Sequence, residues 1–201
     1  MRHALRPTAV LLLPLLLIGA GTPGVDRYEI DPNHSRIGFA VRHMGVATVR
    51  GEFTDYEGHI LIDAQDITRS TATVVIRTAS IDTRNERRDN HLRSDDFFNA
   101  ERFPTITFTG THVEQNGEEL VLVGDLTIRD VTQVVRLPFT LNGPIELGGR
   151  KRLGAEGELL IDRKKFNLLW NNVVEGVSVV SDDVRLEIAV EAATRRPEAA
   201  S

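Results

Sequence analysis

The sequence predicts an all-β fold, an eight-stranded antiparallel barrel with one short helical segment between its third and fourth strands. Three observations carry that prediction. From Tyr28 onward, apolar residues recur with a period of two, as half-buried strands require. Turn-forming residues separate the alternating runs at hairpin spacing, Asn116-Gly117 most clearly. One segment, Ser80 to Pro104, breaks the period and is rich instead in Asp, Arg and Phe.

The N-terminus is read apart from the fold. "MRHALRPTAVLLLPLLLIGAGTPG" has Arg2 and Arg6, an apolar run from Ala9 to Ile18 and then small residues, the three-part build of a cleaved secretory signal. A spanning helix needs about 20 apolar residues, and this run is shorter, so no stable membrane insertion is expected. The expected organisation is a signal at 1–24, a barrel domain at 25–193 and a tail at 194–201. Losing Arg2 and Arg6 takes the net charge from −5 to −7, a poor balance for nucleic acid or an anionic membrane surface. With 0 cysteines the chain has no disulfide, no thiol chemistry and no lipoprotein cysteine, so packing must stabilise it.

Each strand shows one apolar face. Ile37, Phe39 and Val41 share a face of the first, with Arg36 and Arg42 opposite and His43 ending the apolar row. The second sets Ala47, Val49, Gly51 and Phe53 against Thr48, Arg50 and Glu52, and the third offers Ala72, Val74 and Ile76. Ile106 and Phe108 mark the fourth, Leu120, Leu122, Gly124, Leu126 and Ile128 the fifth, and Val135, Leu137, Phe139 and Leu141 the sixth. Leu153, Ala155, Gly157, Leu159 and Ile161 form the seventh, and Val184, Leu186, Ile188 and Val190 the eighth. Gly45, Asn142-Gly143-Pro144 and Gly148-Gly149 mark further turns. Short connections make sequence neighbours antiparallel, and eight such strands close into an up-and-down barrel; a two-sheet sandwich fits the same period. The inward rows also hold Ala47, Gly51, Ala72, Gly124, Ala155 and Gly157. Small residues there serve either sheet curvature or a ligand cavity of about 300–1,000 Å³.

The segment between the third and fourth strands reads as a cap. Thr83 with Glu86 makes a capping box for a helix over 84–92, and Ser94 followed by Asp95 and Asp96 reads as another N-cap. That helix has almost no apolar stripe, so Phe97, Phe98 and Phe103 are expected to turn inward as its anchor. Asp89, His91, Asp95 and Asp96 are metal-ligand types, but no His-x-x-x-His or Glu-x-x-His spacing joins them. Five arginines and six acids between Asp82 and Arg102 suggest instead a self-paired surface segment. The chain has no Gly-x-Ser-x-Gly elbow and no glycine-rich phosphate loop. His34, in "DPNHS", reads as a hydrogen-bonded turn residue, and His43 as either a satisfied rim histidine or a ligand contact. Phe166 and Trp170, after the seventh strand, plug one barrel end, touch a ligand, or do both.

Four stretches carry a resemblance: "YEIDPNHSRIGFAVRHMGVATVRGEFTDYEGHI", "ASIDTRNERRDNHLRSDDFFNAERFPTITF", "GDLTIRDVTQVVRLPF" and "SDDVRLEIAVEA". Together they resemble the YceI-like family of polyisoprenoid-binding proteins, from Tyr28 to Ala192. The resemblance implies a lipocalin-like barrel around a long apolar pocket for an isoprenoid chain or a similar amphiphile. It also implies export to the bacterial periplasm and no catalytic residue, cofactor or metal. The pocket it implies draws on Phe39, Val41, Phe53, Phe108, Leu126, Ile128 and Phe139. Phe97, Phe98, Phe166 and Trp170 would close it, with a headgroup at the mouth near His43 or Arg93. Two positions depart from the family pattern: Asp130 stands where a glycine is usual in the turn after the fifth strand, and Asn167 where one is usual after Phe166. The competing readings are a metal-dependent enzyme using His43, His91 and nearby aspartates, and a filled barrel with a structural or stress role. A homodimer is compatible with all three.

Overall fold

The computed structural model describes residues 24–174 and 177–196, so the expected signal, apart from Gly24, and residues 197–201 of the expected tail lie outside the described residues. Eight strands make a closed antiparallel ring. β1 runs as Val25–Ile30 and Arg36–His43, β2 as Ala47–Phe53 and Tyr56–Asp63, and β3 as Thr71–Arg77 and Ile81–Asp82. β4 (Thr105–Asn116), β5 (Glu119–Ile128), β6 (Val131–Leu147), β7 (Arg150–Asp162) and β8 (Val180–Thr194) complete it. Each strand pairs with its sequence neighbours, and β8 returns to β1, setting Leu186 against Phe39 and Tyr28 against Thr194. That closure decides for the barrel over the sandwich. A separate two-residue ladder, Val173–Val174 with Val177–Ser178, stands in the β7–β8 connection.

Three strands are broken, and the breaks explain what the alternating pattern leaves out. Asp31 and Pro32 open a 3₁₀ turn inside β1, with the Asp31 side chain accepting from the Asn33 N–H. Thr54-Asp55 interrupts β2, and the 3₁₀ turn Thr78–Ser80 interrupts β3. The additional segments Val25–Ile30 and Tyr56–Asp63 pair with each other, from Val25 with Asp63 to Glu29 with His59. Conversely, Asn142-Gly143-Pro144 is no turn. β6 passes through it with a register slip opposite Arg152 and Gly154, and the chain reverses at Gly148-Gly149, both at positive φ.

The small inward residues divide between the two roles foreseen for them. Ala72, Ala155 and Gly157 border the cavity, whereas Ala47 is exposed. Gly51 accommodates the ring of Phe39, and Gly124 lies against the backbone of β4. A Cβ on Gly124 would collide with the Thr109 carbonyl oxygen and sit 2.6 Å from the Gly110 Cα, beside a bulge in β4.

The turn departures from the family pattern are local. The residue at positive φ between β5 and β6 is Arg129 (φ 57°), so Asp130 does not occupy the strained position. Asn167 is left-handed (φ 58°, ψ 24°), a conformation asparagine tolerates well.

α1 (Glu86–Arg93) and the turn after it differ from the expected cap in detail. The N-cap is Asn85, whose side chain accepts from the Arg88 N–H at 3.0 Å, and not Thr83. Thr83 donates its N–H to Asp89 at 2.9 Å and its hydroxyl to the same carboxylate oxygen. Ser94 ends α1, donating its hydroxyl to the His91 carbonyl at 2.8 Å. Nor are the charges of the segment mutually paired. His91 and Asp96 lie 2.8 Å apart, but the arginines seek backbone: Arg88 donates to the Thr83 carbonyl, and Arg93 to the Ala79 and Ile81 carbonyls, at 2.7–2.8 Å. A guanidinium has five donors and satisfies carbonyls that no ladder reaches.

Gly124→Val is expected to lower stability by about 2–3 kcal/mol, because the new side chain meets backbone that has to shift. Urea unfolding of the two proteins measures it.

Candidate ligand cavity and its lid

All eight strands contribute to one interior cavity of about 240 Å³, through Phe39, Ile60, Val74, Phe108, Leu126, Phe139, Ile161 and Leu186 among others. Its lining is almost wholly hydrocarbon. The volume falls just short of the range of about 300–1,000 Å³ usual for ligand pockets. Leu92 of α1 and Phe97 and Phe98 of the following turn border it at the mouth.

The far end is sealed. Tyr28 (0% exposed), Leu153 and Ala192 are buried there on neighbouring strands, and none of them borders the cavity. Burial, with a smaller contribution from Asp26, pushes the Tyr28 phenol above its ordinary pKa, as a group closed off from water requires.

Of the residues singled out in the sequence, Phe39, Val41, Phe53, Phe97, Phe98, Phe108, Leu126, Ile128 and Phe139 all border the cavity. Three do not. His43 ends β1 at the rim, opposite Ala47 and Val180. Phe166 is buried (2% exposed) in the packed core. Trp170 lies outside the mouth, in a surface cleft it shares with Asp95, Asp96, Arg129 and Asn171. Phe103 does not turn inward either; its ring lies beneath the guanidiniums of Arg102 and Arg129, 5.1 and 5.3 Å from its centroid. Arg93 is engaged by the Ala79 and Ile81 carbonyls.

The lid is held by polar contacts at its edges. Phe53 meets Phe98 edge-on at 6.0 Å, and the Trp170 ring lies 4.8 Å from His91 and 5.1 Å from Phe97. Arg129 reaches over from the β5–β6 turn and donates to the carbonyls of Phe97 (3.1 Å) and Asn167 (3.0 Å). The buried Asp89 (5% exposed) fixes the start of the segment through Thr83.

Arg163 is a structural residue that sequence reasoning passed over. Only 2% exposed, it borders the cavity and donates to the carbonyls of Leu168, Trp170 and Ser181 and to Asp182. It thereby fixes the loop after β7. "DRKKF" looks like an exposed basic run, and only the 3₁₀ turn at Arg163–Phe166 aims its arginine inward.

Among the described residues, no three metal-type side chains at the mouth come close enough to share a cation. Among the described residues, the group close enough to share a cation is Asp31, His34 and Glu191, without His43 or His91. Those three are already engaged: His34 Nδ1 lies 3.0 Å from Asp31, and Arg152 donates to Glu191 at 2.7 Å. No helix among the described residues is long and apolar enough to cross a membrane.

The model of the YceI-like domain family matches residues 28–192, the whole ring from inside β1 to near the end of β8. The chain belongs to the YceI-like family. Protein YceI of Escherichia coli O157:H7 is 36% identical over 179 residues, covering 88% of this chain and 91% of that protein. Among solved structures, the Campylobacter jejuni YceI protein is 32% identical with a TM-score of 0.67, over 77% of this chain and 90% of its own. A polyisoprenoid binding domain from Saccharophagus degradans, implicated in plant cell wall breakdown, shares the fold at 18% identity. Its TM-score is 0.64, over 84% of this chain and 98% of its own.

Two measurements check these contacts. Asp89→Ala leaves the buried Thr83 N–H and hydroxyl without their acceptor and should cost about 2–3 kcal/mol in denaturant unfolding. At His34, the hydrogen bond that the imidazole donates to Asp31 and that carboxylate's charge, with Glu191 behind them, raise the imidazole above its ordinary 6.5. Its contribution is therefore complete below pH 6.5 and lost as pH rises through the elevated value. An NMR titration should place the His34 midpoint above 6.5, and Asp31→Asn should return it toward that value.

Proposed function

We propose that the protein binds an isoprenoid lipid, a polyprenyl chain or a quinone-like amphiphile, in the barrel cavity and carries or sequesters it in the periplasm. The observation that carries this reading is the lining: eight strands and the lid turn carbon toward one cavity with almost no polar surface. Each CH₂ taken from water into such a site contributes about 0.8 kcal/mol, so a long chain needs few polar contacts. The S. degradans relative, by its description a polyisoprenoid binding domain, supports the ligand class. The periplasmic setting rests on the leader-like sequence of residues 1–24. In this reading the protein is a binder with no reaction of its own.

Organic extraction of protein recovered from the periplasmic fraction, followed by mass spectrometry beside elemental analysis, tests it. Stoichiometric isoprenoid is the expected result. Stoichiometric metal without lipid would overturn the reading, and neither would mean a filled barrel. Val74→Thr, nearly isosteric, puts a hydroxyl into the cavity wall and should weaken binding of an apolar fluorescent probe about tenfold.

A further inference from the structure

The ring of strands is not paired all the way round at the lid end. β3 and β4 are paired from Ala72 with Gly110 to Arg77 with Thr105, and the Thr78 N–H donates to the Pro104 carbonyl at 3.0 Å. Beyond that point β3 continues as Ile81–Asp82, paired only with β2, and residues 83–103 occupy the gap. We propose that this gap is the lateral portal through which an apolar chain reaches the cavity, that residues 94–103 are its lid, and that Arg129 is the latch. The inference rests on the isoprenoid-binding reading.

The lid is built to move as one piece. Its backbone bonds are internal or run to α1: Asn99 N–H to the Ser94 carbonyl (2.8 Å), Phe103 N–H to that of Asn99 (2.8 Å), Phe98 N–H to that of Leu92 (3.0 Å). α1 is pinned to the β3 side by Arg93, which donates to the Ala79 and Ile81 carbonyls. On the opposite side, among the described residues, the hydrogen bond that ties the turn to the barrel is the one from Arg129 to the Phe97 carbonyl, with the Trp170 ring packed beside it. Releasing it swings Phe97 and Phe98 out of the mouth and lengthens a cavity that is otherwise small for a polyprenyl chain.

A second interruption lies between β6 and β7, whose pairing stops at Phe139 with Gly157. It is sealed differently. Phe166, 2% exposed, is buried in the core there, and buried Arg163 nails the adjoining loop through four acceptors. Among the described residues, the lid seam has one such bond on its moving side.

Trp170 is the chain's single tryptophan and reports the latch without a label. Arg129→Gln, checked for native far-UV circular dichroism, is expected to raise acrylamide quenching of Trp170. It should also speed both binding and release of N-phenyl-1-naphthylamine by about tenfold with Kd held within about threefold, because a latch obstructs both directions. Faster release alone would make Arg129 part of the pocket wall and overturn the latch, as would unchanged quenching and rates. In the wild-type protein, amides of residues 97–103 are expected to exchange about a hundredfold faster than those of β4, by local opening. Equal protection would overturn the lid even if the variant misfolds. If the wild type fails to bind the probe, the isoprenoid reading falls, while quenching and exchange still decide the lid.

Discussion

Pairing of β8 with both halves of β1 turns a twisted meander into a ring, and a ring satisfies its wall's backbone donors and acceptors without calling on side chains. That frees the inward rows to be hydrocarbon. A sheet with an open edge would have had to bury polar groups, cover them or recruit another chain. Here the interior is free of that demand, and the cavity is the space that eight inward rows leave when they do not quite meet.

Where the ladder lapses, individual polar side chains replace it. Asp89 gathers the donors of Thr83, Arg93 takes the carbonyls of Ala79 and Ile81, and Arg163 takes three carbonyls after β7. Burying such groups is tolerable because each is surrounded by complementary dipoles. The result is a wall of uniform strength interrupted by a few pinned patches, which differ in how many bonds hold them. The molecule's uneven rigidity follows from that difference more than from any loop's length.

The barrel was legible because its chemistry is periodic. Phe39, Val41, Phe108, Leu126, Ile128 and Phe139 face the cavity as the strict alternation of strand side chains demands, and no tertiary knowledge was needed to aim them. Residues outside strands were legible in kind but not in direction. Phe97 and Phe103 are the same side chain six positions apart, yet one seals the cavity and the other lies beneath two guanidiniums. Arg88 and Arg93 of α1 misled for a related reason. Acids stand beside them in the sequence, but their partners are carbonyls made available by strand breaks that the composition does not announce. Arg163 was invisible for the same cause, since its neighbours Lys164 and Lys165 make it look solvated.

Tyr28, Leu153 and Ala192, packed at the end away from the lid, make the barrel a sleeve with a stop and not a tunnel. A linear guest seated against such a stop leaves by the way it came, and whatever exceeds the sleeve's depth stays in water. The sleeve then acts as a ruler. Retention would then grow with every carbon until the tail reaches the closed end of the cavity, and level off afterwards, so selectivity among homologous chains would take the form of a plateau with a minimum length and no maximum.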